Sequence, residues 1–314
     1  MSTYHFLHPG TLVQERFRVQ GRQSTFDAVT TYPSYDELYR DDVLLKTFVV
    51  KGDEQRSDNE IQNLEICKDI AGIPRFLTQF PMCNGDIMAI VTSMPGELLY
   101  VVLCRSFHRL TMKNTLRICY RLFELIEKVH SKGLVHRDVR SNTVLGGISW
   151  NGEFELGLSS FAFAAPISPP PPSTMGMIEW RHESIQVNKG DNYTIHDDYV
   201  SALFIVFQTQ NLFPFNNMRR GNQNERQDFR WSELERKEYF DEHLFEMLSG
   251  PNEWMADIYL LLERQRNVGR FEKEEIYGRL ENVIPGFDPK SALEFKYIKE
   301  SQAAGGEKTV ACLV

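Results

Sequence analysis

The chain has 314 residues, 42% of them hydrophobic and 25% charged, and a formal net charge of -8. That length and balance suit one large or two-lobed globular domain with a sizeable core, and the acidic balance argues against nucleic acid, whose phosphates are gripped by Lys/Arg clusters. Cys67, Cys83, Cys104, Cys119 and Cys312 are widely spaced and include no CxxC pair, which points to a reducing compartment and away from structural zinc.

Residues 12 to 50 carry alternating, β-rich runs, Phe17-Arg18-Val19 and Val43 to Phe48, broken by a polar, Tyr-rich stretch from 31 to 42. Such a pattern predicts a small antiparallel sheet, with Lys46 following the apolar Val43-Leu44-Leu45. Asn59-Glu60-Ile61 opens a helical pattern that ends before Gly72-Ile73-Pro74. A strand from Ile87 to Val91 then leads into Thr92-Ser93-Met94-Pro95-Gly96, where Pro-Gly reads as a turn. Leu116, Cys119, Tyr120, Phe123, Ile126 and Val129 recur at three- and four-residue steps and predict a helix with one buried face. Directly after it, Val129 to Leu145 reads VHSKGLVHRDVRSNTVL, with His136-Arg137-Asp138 in a loop.

Phe154 to Leu158 is a hairpin strand after the turn at Trp150-Asn151-Gly152, and it runs into Ser159-Ser160-Phe161-Ala162. Pro169 to Pro172, between Pro166-Ile167-Ser168 and Ser173-Thr174, form a low-complexity run. It favours polyproline II, as a stiff spacer or as a ligand for an SH3- or WW-type reader. His196 to Gln208 is a continuous apolar helix, and further helical patterns from 228 to 283 stop at Gly250-Pro251 and Pro285-Gly286. No apolar run approaches the length of about 18 residues that a membrane span needs, so a soluble protein of the cytoplasm or nucleus is expected, off the membrane.

The order and spacing of these pieces resemble a eukaryotic protein kinase, most closely the casein kinase 1 family. The resemblance is carried by Gly72-Ile73-Pro74, by Ile126 to Lys132 before His136-Arg137-Asp138-Val139, by Leu145-Gly146-Gly147, and by Asp197-Asp198 with Asn211-Leu212-Phe213-Pro214-Phe215. It implies an α+β fold of two lobes: an N-terminal extension at 1–11, a β-rich N-lobe at 12–92, a hinge at 93–96, a helical C-lobe at 97–295 and a flexible tail at 296–314. It also implies roles. Lys46 would grip nucleotide phosphates with Glu60 as its partner, and Asp138 would take the proton of a substrate hydroxyl. His136, Arg137 and Asp198 would be structural, with Asp198 capping the loop backbone. Glu183 would pair with a late arginine, for which Arg270 is the candidate. Thr92 would be the gatekeeper of a hinge made by Ser93, Met94 and Pro95.

Against that template several nucleotide and metal positions depart together. Arg22, Ser24 and Asp27 occupy the three places where the family has glycines, which backbone approach to phosphates requires; Gly21 is one residue out of frame. Thr143 stands for the magnesium-binding Asn, with Asn142 one place early, and Ser160 stands for the magnesium-binding Asp of Asp-Phe-Gly. Pro95 has no N–H to offer adenine. The departures imply a degenerate member: a pseudokinase acting as a scaffold or allosteric regulator without effective ATP or magnesium binding, partnered by an active kinase or its substrate. The retained Lys46, Glu60 and Asp138 leave open a weak or atypical Ser/Thr kinase with Glu155 or Asp27 as substitute metal ligand. A third reading has the C-lobe docking phosphoacceptor peptides without modifying them.

Overall fold

The computed structural model describes residues 6–21, 24–26, 29–50, 55–94, 96–149, 151–172, 182–212, 226–301 and 307–314. The chain divides into two compact units, Met1–Pro95 with Ser159–Ala164 and Gly96–Leu158 with Ala165–Val314.

In the first unit, β1 (Leu12–Val13), β2 (Phe17–Val19), β3 (Ser24–Phe26), β4 (Val29–Asp36) and β5 (Asp41–Val49) are followed by helix α1 (Gln55–Ile66), β6 (Phe76–Met82) and β7 (Ile87–Ser93). All the strands join one antiparallel sheet in the order β1-β2-β4-β5-β7-β6, with β3 beside β4. Burial alternates strictly along β4, whereas β5 is buried from Val43 to Phe48 on both faces. That is what an alternating run and a continuous apolar run dictate, respectively. Phe17, Val19, Tyr32, Val43, Leu45, Ala89 and Val91 form the core of one face. The β4–β5 turn is held by Asp36, which accepts the N–H groups of Leu38 and Tyr39 and a two-pronged bond from Arg16 at 2.9 and 2.7 Å.

The second unit opens with β8 (Glu97–Leu98), α2 (Leu99–Arg105), α3 (Met112–Ser131), β9 (Leu134–Val135), β10 (Val144–Ile148), β11 (Phe154–Leu158) and β12 (Ala165–Pro166). It continues through α4 (Ile185–Lys189), α5 (Ile195–Thr209), α6 (Arg226–Glu242), α7 (Leu244–Met247), α8 (Glu253–Asn267) and α9 (Lys273–Asn282). Thr111 caps α3 by accepting the Asn114 N–H. The apolar stripe of that helix, Leu116, Cys119, Phe123, Ile126 and Val129, is fully buried. α5 is buried almost all round and packs against α3 and α8, with Phe123 edge-on to Tyr199 at 5.0 Å and Phe204 stacked near Tyr259 at 6.4 Å. A capping box of Thr194 and Asp197 starts it.

Gly96 lies where β8 meets β10. A Cβ there would come within 2.5 Å of the Gly146 carbonyl oxygen, and backbone cannot yield as a flexible side chain can. Gly96→Ala is expected to cost about 1–3 kcal/mol, the range of an overpacked site, read as a lowered urea midpoint at unchanged slope.

Of the segment expected as a flexible tail, the described residues 296–301 and 307–314 are strand and strand end. β13 (Phe295–Ser301) and β14 (Glu307–Leu313) pair antiparallel from Phe295↔Leu313 to Ser301↔Glu307. Val310, Cys312 and Leu313 are buried. Arg105 bridges Glu97 and Glu300, and the Asn114 amide donates to the carbonyls of Glu294 and Val314 at 2.7 and 2.6 Å. The two alternating strands pair with each other, and β14 lies against α2.

Candidate functional site

Two constellations hold the residues singled out by sequence, one in each unit. In the first, β5 carries Lys46 opposite Ile90 of β7 and Thr31 of β4, and α1 supplies Glu60. Lys46 Nζ meets Glu60 Oε1 at 2.5 Å, with both side chains 3% exposed or less. The same ammonium reaches Ser160 Oγ at 3.4 Å. Ser160 takes a left-handed backbone, φ 71°, ahead of a short helical turn at Phe161–Phe163. Asn63 of α1 fastens that turn by donating to the carbonyls of Phe161 and Ala164 at 3.1 and 3.0 Å. Sequence reading overlooked Asn63; its signal was a polar residue on the α1 turn that carries Glu60.

Thr92 is 1% exposed, and its hydroxyl has no hydrogen-bond partner among the described residues. Ser93 exchanges bonds with Arg75: its Oγ accepts the Arg75 N–H at 2.8 Å and its N–H donates to the Arg75 carbonyl at 2.9 Å. Met94 follows the end of β7. Ser24 lies on β3 opposite Thr31. Arg22, Asp27 and Pro95 lie outside the described residues, as do Trp180, Arg181 and Phe213 to Phe215.

In the second unit, Asp198 is the hub. Its carboxylate, 0% exposed, accepts the backbone N–H groups of His136 and Arg137 at 2.8 and 2.9 Å and the Tyr193 hydroxyl at 2.8 Å. His130 Nε2 is 2.8 Å away on the same carboxylate. Burial pushes this carboxyl up, but His130 and the loop donors outweigh it and hold it below the usual range. Asp36 in the first unit is likewise held low, chiefly by the Arg16 bond. A carboxyl whose folded pKa is depressed adds stability that is fully present above its unfolded value, about 3.9, and is lost as pH falls through the folded value. The stability these two carboxyls add should therefore be lost as pH drops below about 4, and Arg16→Met should flatten that acid limb of the thermal midpoint.

The Asp198 bonds hold His136-Arg137-Asp138 in place, with Arg137 at φ 69°. Arg137 donates from Nη2 to the Pro172 carbonyl at 2.8 Å. The Asp138 carboxylate, 4% exposed in a buried loop, is paired with Arg140 Nε at 2.7 Å. Thr143 closes the loop: its hydroxyl lies 2.6 Å from the Asp138 carbonyl and 3.0 Å from that of Arg140, and accepts the Arg140 N–H at 3.1 Å. Arg140 was missed by sequence reading, although a cation two residues beyond a loop aspartate is a legible signal. His130 and Tyr193 were missed because only the fold brings them to Asp198.

The proline run is docked on this unit. β12 pairs with β9, the Ile167 N–H donates to the Gly133 carbonyl and the Tyr193 N–H to the Pro171 carbonyl, each at 2.9 Å. Pro171 is buried while Pro169, Pro170 and Pro172 are exposed.

Glu183 accepts the Asn188 amide at 2.6 Å, and the buried Lys237 donates to the Glu183 carbonyl and to Asn188 Oδ1 at 2.7 and 2.6 Å. Arg270, the expected partner of Glu183, instead pairs with Glu272 at 2.7 Å on the surface. The arginine that turns inward is Arg266, four residues earlier, which pairs with Asp197 at the start of α5. Arg266 lies in the last turn of α8 and Arg270 past its end, a difference that spacing alone did not resolve.

No protein-family profile matches the chain. It is 26% identical over 117 residues to the serine/threonine-protein kinase MST20 of Pyricularia oryzae, covering 37% of this chain and 12% of that protein. It is 31% identical over 85 residues to the serine/threonine-protein kinase STE20 of Yarrowia lipolytica, covering 27% and 7%. Over 128 residues it is 28% identical to a serine/threonine-protein kinase-like protein of Arabidopsis thaliana, covering 40% and 36%. The chain thus matches well under half the length of each of these relatives. The similarities are to serine/threonine protein kinases and a kinase-like protein, and the fold is α+β, of the two-lobed kinase-like type. Among the described residues no helix is long and apolar enough to cross a membrane.

Proposed function

We propose that the chain is a pseudokinase of casein kinase 1 type, a kinase-like fold kept as a protein-interaction scaffold or allosteric regulator, with ATP and magnesium binding impaired or absent. The observation that carries this reading is Ser160. A neutral hydroxyl facing the Lys46 ammonium at 3.4 Å is a poor ligand for a hard dication that prefers carboxylate oxygen. Thr143 supports it, because its one proton and an acceptor site are engaged by its own loop, and the Asp138 carboxylate is engaged by Arg140. Neither hydroxyl, each taken in its own unit, offers the anionic oxygen that a hard dication prefers. The partner is an active kinase or that kinase's substrate, met in a reducing compartment. The proline run serves the module as an internal strut and not as an SH3 or WW ligand, since the Pro171 and Pro172 carbonyls are taken by Tyr193 and Arg137.

A second reading, a weak or atypical Ser/Thr kinase, is favoured by the buried Lys46–Glu60 pair, an arrangement that active kinases need in place. A thermal-shift titration with ATP, alone and with magnesium or manganese, separates the two. A site filled at a hundred times its Kd adds about 2.7 kcal/mol; no shift is expected. A metal-dependent shift, followed by phosphate transfer to a protein that Asp138→Asn abolishes, would sink the pseudokinase reading.

A further inference from the structure

Away from both constellations, the end of α2 folds back on itself. The Phe107 N–H donates to the Cys104 carbonyl at 3.1 Å and the His108 N–H to the Leu103 carbonyl at 2.9 Å, with Phe107 and His108 at φ 53° and 54°. This turn sets His108 Nε2 3.6 Å from the Cys104 sulfur. The loop is fixed at its far end on α5, where the Leu110 N–H donates to the Thr209 carbonyl at 3.0 Å and Gln210 Nε2 donates to the Leu110 carbonyl at 2.9 Å. His108 itself also bonds to the Gln208 backbone. Burial pulls this imidazole below its ordinary range, with the Gln208 backbone opposing. Cys104 is solvent-exposed. A nucleophile, a base within reach of it and a backbone group orienting that base are the parts of an activated nucleophile.

We propose that Cys104 is a redox-modification site, oxidised by peroxides to the sulfenic acid with His108 as its base. As the sulfur attacks one peroxide oxygen, the thiol proton passes to His108 Nε2. The S–O bond forms and the O–O bond breaks. The departing hydroxide takes the proton back from the imidazolium and leaves as water, so the sulfur is oxidised by two electrons and the peroxide is reduced. Cys67, Cys119 and Cys312 are buried and stay out of this chemistry. The site borders an exposed apolar strip, Tyr100, Val101 and Phe107, the last 81% exposed, so oxidation would change the polarity of that surface.

The molecule contains its own control, because Cys83 is also exposed and sits at the end of β6 on a turn. The full chain is treated with limiting hydrogen peroxide, sulfenic acid is trapped with dimedone, and adducts are mapped by mass spectrometry over time. Cys104 should be trapped about tenfold faster than Cys83, a modest return for a positioned base. His108→Gln should bring Cys104 down to the Cys83 rate and leave Cys83 unchanged. Equal rates at the two cysteines in the unsubstituted chain, or a Cys104 rate indifferent to His108→Gln, overturns the proposal. Protection of Cys67 and Cys119 reports that the variant is folded; if it is lost, His108→Asn replaces that variant, and the ratio within the unsubstituted chain decides in either case.

Discussion

Replacing Asp198 by alanine is expected to cost about 4 kcal/mol of folding stability, a large part of the 5–15 kcal/mol typical of a domain. The carboxylate gathers two backbone N–H groups of the His136-Arg137-Asp138 loop, the Tyr193 hydroxyl and His130 into one buried point. Deleting it strands those groups in a region without solvent, and each buried donor left unsatisfied costs about 1–3 kcal/mol. Asn at the same position keeps one acceptor and the shape, so Asp198→Asn should fall between, at about 2 kcal/mol. Urea unfolding measures both, and hydrogen exchange at the His136 and Arg137 amides supplies the local readout. An alanine variant within about 1 kcal/mol of the unsubstituted chain would mean that the loop is held by something other than this hub.

Much of this frame is legible in the sequence because it rests on local rules. The stripe from Leu116 to Val129 becomes α3 with that face buried, and the continuous apolar run at Val43 becomes the two-sided core strand β5. Lys46 and Glu60 were paired through the resemblance to protein kinases, and the fold brings them together. What escaped the sequence depends on long-range partners. The strands Phe295–Ser301 and Glu307–Leu313 are each short and alternating, and nothing local says that they bury Val310 and Cys312 instead of fraying. Arg266 and Arg270 differ only in which side of a helix end they occupy, so charge and distance along the chain could not decide between them. The proline run has one composition whether it stands free or docks, and docking is set by two donors, Tyr193 and Arg137, that lie outside it. Thr143 was identified as a lost metal position. That its hydroxyl bonds the carbonyls of its own loop follows from a turn geometry which a single residue type does not encode.

Lys46→Met should destabilise the protein by about 3–5 kcal/mol, because it leaves the Glu60 carboxylate buried without its cation. Glu60 is 1% exposed and Lys46 2%, so neither charge can turn to water when its partner is gone. Glu60→Leu should cost a similar amount for the mirror reason. The double variant Lys46→Met, Glu60→Leu should recover most of that loss, since an apolar pair of similar volume avoids both desolvation penalties. Urea unfolding of all four proteins gives the coupling between the two positions. The pattern separates two reasons for keeping the pair. As an ion pair that fixes α1 on the sheet, it makes each single variant unstable and the double variant nearly whole, with no nucleotide present. A pair kept for phosphate binding alone would leave stability within about 1 kcal/mol in every variant and would reveal itself only in the ATP titration. Ser160 sharpens the distinction, because the Lys46 ammonium already spans Glu60 and the Ser160 hydroxyl. Its ammonium thus ties β5 to α1 and to Ser160 within the unit that carries it, and the four-protein comparison reads the stability that this tie supplies.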